Sequence, residues 1–370
     1  MRSSRVFFSY FPQYHPDPLN DRAWGPGFTD WDLIRALPEK IRRRFTPAIG
    51  FYDPSSPEYV RTLIDQLERL PFSAGLMVYH YHFDGVYALS GFERQWLQQR
   101  PEVPFFLCWA NETWTKRWVG RPSDIIVEQK HLADEALIRA HARYLSSYFE
   151  LPSYRRIDDR PLLLIYNPLA SPTLPRSIGL YRNAFQEIGW VPMIGACVSH
   201  SQPASQFAPY DFVCEFQPRY FFNTSTPSSV AKLASHLKAR LPTLFEWMGA
   251  QRDRLRQHTD RREFSYEKYL LSVTTGDLEK SLRATTGSQP LMRSTFLSWD
   301  NSPRYGDRST RVTNASGSPI DFAAVSSIRS DGDLPVLVNS WNEWSEGAAL
   351  EPGVTEHAQR SAFLGAIGLL

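Results

Sequence analysis

The sequence has 370 residues, of which 42% are hydrophobic and 22% are charged, and its formal net charge is +2. This is the composition of a globular protein with a large core, built as one large domain or as two smaller ones. The balance of charges gives no indication of a nucleic-acid or strongly acidic partner.

Cysteine usage and the N-terminus bear on location. Cys108, Cys197 and Cys214 each lie in an apolar run and form no C-x-x-C pair, so we expect reduced, buried thiols, as in cytoplasmic proteins. The N-terminus lacks the apolar region of a secretory signal, and no apolar run approaches the roughly 18 residues of a membrane span. We therefore expect a cytoplasmic protein without a transmembrane segment, with the inner face of the membrane as an alternative location. An apolar, helix-like stretch ends the chain and leaves open whether the chain is part of a longer protein.

Eight short apolar runs predict eight β-strands. In chain order they cover residues 5–10, 75–81, 104–109, 161–166, 191–198, 211–216, 294–299 and 335–341. The runs are continuous and do not alternate with polar residues, which is typical of strands that are buried on both faces.

Helix-like segments lie between these runs. They cover residues 57–70, 134–149, 180–188, 230–241 and 266–282, and a last one covers 357–370. Strands that alternate with helices predict a parallel sheet, and eight such units favour a (β/α)8 TIM barrel that forms one catalytic domain over residues 1–370. A doubly wound open sheet is the alternative. That fold usually carries a glycine-rich loop after its first strand, whereas residues 11–16 contain no glycine.

The stretch 219–290 is too long for a simple connection between the sixth and seventh strands. It contains helix-like segments and a basic patch, Arg252, Arg254, Arg256, Arg261 and Arg262. We interpret the stretch as an inserted helical subdomain, and the patch as a solvated face.

Polar and aromatic side chains follow seven of the eight predicted strands. Active sites of (β/α)8 barrels lie at these C-terminal strand ends, so the convergence of carboxylates, amides, imidazoles and indoles predicts a polar, aromatic-lined pocket. The expected substrate-binding residues are Gln13, His15, His80, His82, Trp109, Asn111, Glu112, Trp114, Tyr166, Glu215, Trp299, Asp300, Asn301, Trp341, Asn342 and Trp344.

Two carboxylates after the last strand, Glu343 and Glu346, are three residues apart with Trp344 between them. A turn at this spacing brings both carboxyl groups to one side. Paired carboxylates suit acid/base catalysis because each perturbs the pKa of the other, and indole faces suit a sugar ring. The stretch alone is equally compatible with a solvated loop. Together with the other strand ends it indicates glycosidic-bond chemistry, whose stereochemical outcome depends on the separation of the carboxyl groups.

Other kinds of site are less well supported. His80-x-His82 on a strand puts two imidazoles on one face, but no third ligand has a recognisable spacing, so hydrogen-bonding histidines are favoured over a metal site. Asp331-x-Asp333 precedes a strand and is interpreted as a turn. The sequence contains no G-x-S-x-G elbow and no G-x-x-x-x-G-K-[ST] loop. We therefore predict neither a metal nor a cofactor.

Several long motifs identify a family resemblance. They are Y-F-P-Q-Y-H-P at 10–16, W-G-P-G-F-T-D-W at 24–31, C-W-A-N-E-T-W-T-K-R-W at 108–118, I-V-E-Q at 126–129, R-P-L-L-L-I-Y at 160–166, W-D-N-S-P-R at 299–304 and W-N-E-W-S-E-G at 341–347. In this order, over nearly the whole chain, they resemble the WbsX-like glycosyltransferase family, whose barrel is similar to that of the endo-α-mannosidases of glycoside hydrolase family 99. The motifs add Tyr10 and Glu128 to the expected substrate-binding residues.

The resemblance implies a (β/α)8 barrel and retaining chemistry on α-glycosidic bonds. It implies that Glu343 is the base that removes the proton from a sugar 2-hydroxyl, so that this oxygen closes onto the anomeric carbon. It implies that Glu346 is the acid that protonates the departing oxygen and then the base for the acceptor. The intermediate would be a 1,2-anhydro sugar.

Three functions remain open from the sequence. The family name and its association with surface-polysaccharide and O-antigen (lipopolysaccharide) synthesis imply a glycosyltransferase acting on an oligosaccharide or polysaccharide, with lipid-linked glycans among the candidates. The hydrolase-type acid pair, and the lack of a recognisable nucleotide-binding motif, favour the alternative of an endo-α-mannosidase-like hydrolase that trims a glycan. The third is a carbohydrate-binding barrel with inert acids, and the two intact glutamates argue against it.

Overall fold

The structure, a computed structural model, describes residues 5–116, 121–225, 262–314, 320–355 and 357–370. Its centre is a barrel of parallel strands. The strands are β1 (Val6–Tyr10), β2 (Ala74–Phe83), β3 (Phe105–Trp109), β4 (Arg160–Ile165), β5 (Met193–Val198), β6 (Phe212–Glu215), β7 (Leu291–Met292 with Ser294–Phe296) and β8 (Val336–Asn339). Each strand falls within or overlaps one predicted run, and the predicted (β/α)8 barrel is confirmed.

The barrel closes through β7, which consists of two short segments on either side of Arg293. Leu291 and Met292 pair with β6, whereas Ser294, Thr295 and Phe296 pair with β8. The remaining strands pair in the order β6-β5-β4-β3-β2-β1-β8. The ring is therefore completed by a strand that changes partner at one residue.

A buried ion pair holds this change of partner in place. The Arg293 side chain is 4% exposed, and its Nε lies 2.8 Å from a carboxylate oxygen of Glu215, which is completely buried. That oxygen also accepts a hydrogen bond from the backbone of Ser294, at 3.1 Å. The second oxygen accepts one from Gln217. Glu215 was expected to bind substrate, but it lies within the barrel wall and closes the β6–β7 seam.

Replacing Glu215 by glutamine is expected to lower the free energy of unfolding by about 2 kcal/mol, because buried hydrogen bonds to a charged group are lost. Urea titration monitored by circular dichroism measures the change. Glu187→Gln is the matched control, because Glu187 makes a surface pair with Arg139 and such pairs contribute little. Equal losses in the two variants would contradict the role given to Glu215.

Helices cover the outside of the barrel and the loops at its ends. The α-helices are Pro18–Trp24, Asp30–Arg35, Glu39–Arg42, Pro57–Glu68, Gly91–Gln99, Glu135–Phe149, Leu174–Glu187, Arg219–Thr224, Tyr266–Thr274, Asp277–Thr286, Ser302–Tyr305, Ala323–Ser326 and Arg360–Ile367. Short 3-10 turns are Arg43–Phe45, Ala204–Phe207, Gly306–Arg308 and Trp344–Glu346. Strands outside the barrel are Val86–Ala88, Arg156–Ile157, the hairpin Trp114–Lys116 with Arg121–Val127, and the pair Arg262–Ser265 with Thr310–Thr313.

Local signals account for where these helices begin and end. Ser56 accepts a hydrogen bond from the backbone of Tyr59 and caps the helix Pro57–Glu68. The predicted helix 180–188 begins earlier, at Leu174, because Pro175 is tolerated in a first turn. The predicted helix 266–282 is two helices, because Gly276 lies between them with φ +75°.

The predicted insertion 219–290 is described only at its two flanks. The helix 230–241 and the arginines at 252, 254, 256 and 261 lie outside the described residues. On the C-terminal flank, the helix Tyr266–Thr274 packs against β7, where Tyr269 donates a hydrogen bond to Thr295 at 3.1 Å. No helix in the described ranges is both long and apolar enough to cross a membrane.

Candidate active site

A cavity of about 410 Å³ opens at the C-terminal ends of the barrel strands. Its lining comes from β2 and from the segments that follow β1, β3, β4, β6, β7 and β8. The lining residues are Phe11, Gln13, Asn20, Trp24, Tyr79, Tyr81, Ala110, Glu112, Thr113, Trp114, Thr115, Ile126, Gln129, Tyr166, Asn167, Ala170, Phe216, Arg219, Arg304, Tyr305, Glu343 and Glu346. Aromatic rings and convergent polar groups in one concave site are typical of a ligand-binding pocket.

The segment after β8 carries both glutamates into this cavity. The backbone N–H of Trp344 donates to the hydroxyl of Tyr14 at 2.9 Å, and that hydroxyl donates to the carbonyl of Asn342 at 2.9 Å. The backbone N–H of Glu343 donates to Ser340 Oγ at 2.9 Å. These buried contacts fix the turn before the catalytic candidates, so their side chains need not be positioned by a ligand.

Gly347 ends this turn in the left-handed conformation, with φ +60°. A Cβ atom there would lie 2.8 Å from the carbonyl oxygen of Asp300, and the backbone N–H of Asp300 donates to the carbonyl of Glu346 at 2.8 Å. A side chain at position 347 would therefore be both strained and obstructed. The close approach ties the segment after β7 to the segment after β8.

Glu343 is a buried carboxyl group with little to stabilise its charge. The residue is 6% exposed, and no hydrogen bond reaches its carboxyl group from the described part of the chain. Burial, followed by the charge of Glu346, raises the pKa of Glu343 to about 8, although Arg304 and Arg219 act in the opposite direction. At neutral pH and without a ligand, Glu343 is therefore largely protonated.

Glu346 has a different environment because it is paired with a buried arginine. Arg304 is 5% exposed and bridges the carboxylates of Glu346 and Asp30, with its Nη2 2.7 Å from Asp30 Oδ2. The Ser345 hydroxyl donates to the same Asp30 oxygen at 2.7 Å. Arg219 approaches Glu346 more loosely, at 3.8 Å. One glutamate thus holds a proton, while its neighbour is held in an ion pair.

Six of the residues predicted from sequence line the cavity: Gln13, Glu112, Trp114, Tyr166, Glu343 and Glu346. Gln13 donates to the Tyr81 hydroxyl at 3.3 Å, and Glu112 accepts from the Asn167 amide at 3.0 Å. Trp114 packs edge to face on Tyr81, with ring centroids 5.1 Å apart. These residues form the part of the predicted pocket that the fold brings together.

The two histidines of β2 do not reach the cavity. His80 and His82 alternate along the strand with Tyr79 and Tyr81, so that the tyrosines face the cavity and the histidines face the helices. His80 bonds Glu93 at 2.9 Å on one ring nitrogen and His141 at 2.8 Å on the other. Burial lowers the pKa of His82 to about 3, and its Nε2 accepts from the backbone of Gly85. These imidazoles are neutral or paired and hold the helix layer on the barrel.

Two predicted asparagines brace the backbone and do not line the cavity. Asn342 accepts from the N–H of Phe11 at 2.7 Å and donates to its carbonyl at 2.9 Å. Asn111 makes the same pair of bonds to the backbone of Asn167, at 2.8 and 2.9 Å. Each amide thus continues the sheet pairing beyond a strand end, which explains why a buried amide is needed there.

Five other predicted residues lie outside the cavity, either packed in the protein interior or exposed on the surface. Trp341 is completely buried against Phe8, because it follows β8 on the side of the core. Trp109 is buried and donates to the carbonyl of His82. Three remain: Tyr10 stacks on Phe92, His15 bonds the carbonyl of Pro16, and exposed Glu128 pairs with Lys130.

The last four predicted residues belong to the segments after β7 and β8. Trp299, Asp300 and Trp344 line a second cavity, while Asn301 accepts from the backbone of Thr310 at 2.7 Å. Trp344 and Trp299 are 4% and 3% exposed. Of the five tryptophans expected to line or support a sugar site, only Trp114 lines the cavity that holds both glutamates.

Several lining residues were not predicted as site residues. Tyr79 and Tyr81 belong to a predicted strand end, at which the sequence analysis names His80 and His82 as the substrate-binding residues. Arg304 ends the W-D-N-S-P-R motif and was not assigned a role. Trp24 lies within another motif, and Gln129 follows Glu128 directly. A strand end or a motif marks each of these positions in the sequence. Neither signal shows which side chains point into the cavity.

The sequence profile described as Glycosyltransferase WbsX matches residues 6–367, almost the whole chain. The chain belongs to the WbsX glycosyltransferase family. Proteins similar to it include two named "Uncharacterized protein WxcX", from two strains of Xanthomonas campestris pv. campestris, each 32% identical over 359 residues. The match covers 93% of this chain and 46% of each relative, so the chain spans about half the length of these curated relatives.

Solved structures similar to the WbsX-family chain include two of the family 99 endo-α-mannosidase from Bacteroides thetaiotaomicron. One, in complex with Bis-Tris propane, is 15% identical with a TM-score of 0.52, and the alignment covers 100% of this chain and 96% of the other. The second is 14% identical with a TM-score of 0.54, over 96% and 90%. At these identities the likeness establishes the fold. Family and fold together support a carbohydrate-active enzyme.

Proposed function

We propose that the protein is a retaining glycosyltransferase that forms α-linkages during surface-polysaccharide or O-antigen synthesis, with Glu343 and Glu346 as its catalytic pair. The observation that supports this most directly is that both carboxyl groups line one cavity at the barrel mouth but have opposite surroundings. Acid/base pairs are recognised by environments that separate their proton affinities. The proposed substrate is an oligosaccharide or polysaccharide, including lipid-linked forms. Three free, buried cysteines fit a cytoplasmic setting.

Before the first proposed step, the proton of the pair passes from Glu343 to Glu346. The Glu343 carboxylate then takes the proton of the sugar 2-hydroxyl. The 2-oxygen forms a bond to the anomeric carbon as the bond to the leaving oxygen breaks, and Glu346 gives its proton to that oxygen. The products are a 1,2-anhydro sugar, protonated Glu343 and ionised Glu346. Arg304 stabilises the carboxylate that Glu346 becomes.

In the second step, the Glu346 carboxylate takes the proton of the acceptor hydroxyl. The acceptor oxygen then attacks the anomeric carbon, the epoxide opens, and Glu343 returns its proton to the 2-oxygen. Two inversions give net retention. The resting protonation of the site, with a proton on Glu343 and Glu346 paired to Arg304, is the arrangement that this intermediate requires. The site is therefore preorganised for the charge distribution of the intermediate.

The rate of the first step is expected to fall at high pH. The step needs Glu343 ionised and one proton on Glu346. Above a pH of about 8, the pKa of Glu343, the pair loses its last proton, so kcat/KM should be level below that pH and fall above it. A pH–rate profile from pH 6 to 10 measures this limb. A kcat/KM that stays level or rises through pH 8 would show that the first step needs no proton on the pair and would contradict Glu346 as its acid.

A glycoside hydrolase is the second candidate function, because the chain shares its fold with an endo-α-mannosidase and the same steps proceed with water as acceptor. Product analysis with lipid-linked and free oligosaccharides of the source organism's surface glycan separates the two. Chain extension supports the transferase, and release of free sugar supports the hydrolase. Full activity in both Glu343→Gln and Glu346→Gln would contradict either enzyme.

A further inference from the structure

A second cavity of about 370 Å³ lies beside the catalytic candidates and is nearly as large as the first. The two cavities share no lining residue, but both are bounded by the segment after β8. Glu343 and Glu346 line the first cavity, whereas Trp344 and Gly347 line the second. This short segment thus forms a wall between the two cavities.

The charged groups that line the second cavity are mostly basic. They are Arg44, Arg311, Arg360 and His357, with Asp300 and Glu351 as the acids. Both Arg44 and Arg311 pair with the one carboxylate of Asp300, at 3.6 and 3.1 Å. Since each guanidinium has five N–H donors, one shared carboxylate leaves donors for a ligand.

Burial reduces the negative charge on the acidic side of this cavity. It raises the pKa of Glu351 to about 7, so that its carboxyl group is only partly ionised at neutral pH. Burial and nearby Arg44 lower the pKa of His357, which is then neutral. Among the described lining residues, three arginines therefore stand against Asp300 and a partly protonated Glu351. In the described part of this lining positive charge is in excess, which favours an anion.

The floor of the second cavity is aromatic, which argues for a ring and not for a bare anion. Phe45, Trp299 and Trp344 line it, and the indole N–H of Trp299 has no acceptor among the described residues. Arginines alone would suffice for a phosphate ion. A volume of about 370 Å³ with indoles and arginines suits a sugar that carries an acidic group.

We infer that the second cavity binds an acidic sugar residue, bearing a carboxylate or a phosphate, of the glycan handled at the neighbouring catalytic cavity. That the bound sugar belongs to a substrate glycan rests on the proposed function, whereas the binding of an acidic sugar does not. The acidic group pairs with Arg44 and Arg311, whose guanidinium groups share one carboxylate, and the ring lies on the aromatic floor. A glycan held there lies against the segment that carries Glu343 and Glu346, so the site selects acidic chains.

Isothermal titration of the full chain tests this inference with D-glucuronate, D-glucose 6-phosphate, inorganic phosphate and D-glucose. We expect one or both acidic sugars to bind and to outcompete glucose and inorganic phosphate. Preference for glucuronate identifies a carboxylated residue, and preference for glucose 6-phosphate a phosphorylated one. Equal binding of glucose, equal binding of inorganic phosphate, or no binding at all would overturn the inference.

Two arginine variants locate the binding. Arg44→Ala changes a side chain that is 57% exposed, so the fold is expected to survive, and acidic-sugar binding should weaken by about tenfold. Arg219→Ala, in the catalytic cavity, should leave this binding unchanged. The reverse pattern would place the sugar in the catalytic cavity and overturn the inference. Binding needs no turnover, so loss of binding in Arg44→Ala in a protein that modifies no glycan would disprove the proposed function alone.

Discussion

Replacing Glu343 by glutamine is expected to lower kcat/KM by roughly 10²–10⁴-fold, the usual contribution of one acid/base group. The amide keeps the shape of the protonated carboxyl group but cannot accept the proton of the 2-hydroxyl. Substrate binding should change far less than turnover, because the glutamine still fills the same place in the cavity wall. Steady-state kinetics with the identified substrate measure both quantities.

Stability gives the control for Glu343→Gln. The pKa of Glu343 is raised from 4.5 to about 8, so the folded protein binds a proton there that the unfolded chain releases. The unfolding free energy of the wild type therefore falls as the pH rises through this interval, up to about 8. The glutamine variant is expected to lack this loss and to be the more stable protein at pH 9. An inactive variant that is also less stable at that pH would indicate misfolding.

Glu128→Gln is the matched control for activity. Glu128 is exposed and pairs with Lys130 at 3.4 Å, outside the cavity. The same chemical change there is expected to leave turnover close to that of the wild type. A large loss at Glu128 would restore the binding role that the family motif suggested for it.

The barrel was predictable because its strands are continuous apolar runs. This same feature made the site only partly predictable. Every residue of β2 is buried, so its sequence lacks the polar/apolar alternation that would reveal which side faces the cavity. The prediction took His80 and His82, whereas the cavity is lined by Tyr79 and Tyr81. The change of partner at Arg293 could not be predicted either, because a strand that pairs first with β6 and then with β8 has the same apolar pattern as an ordinary strand.

Buried polar residues posed a second difficulty. Asn111, Asn342 and Glu215 have the residue types and positions of ligand-binding groups, yet each satisfies the backbone or an ion pair inside the barrel wall. A sequence does not show whether a buried amide binds a ligand or bonds the protein backbone. The partners of Arg304 were also hidden, since Asp30 is 274 residues away in the chain. That Glu343 and Glu346 share one cavity could be predicted because both are close in sequence.

Arg304→Gln is expected to have the second large effect, on stability and on the pH dependence of catalysis together. The change removes the cation that bridges the buried carboxylates of Asp30 and Glu346, and breaking a buried pair in this way typically destabilises a protein by about 3–5 kcal/mol. Chemical denaturation measures this loss. Arg61→Gln is the matched control, because Arg61 is exposed and pairs with Glu58 on one helix.

The pH–rate profile separates a positioning role from mere support of the fold. Arg304 lowers the pKa of Glu343 against the effects of burial and of Glu346, so its removal should move the falling limb of kcat/KM to a pH above 8. Arg304→Lys keeps the charge but loses the fork that bridges two carboxylates. We expect this variant to fold, to retain the limb near 8 and to lose about tenfold in kcat. A folded Arg304→Gln protein whose limb is unmoved would show that Arg304 supports the structure without tuning the catalytic pair.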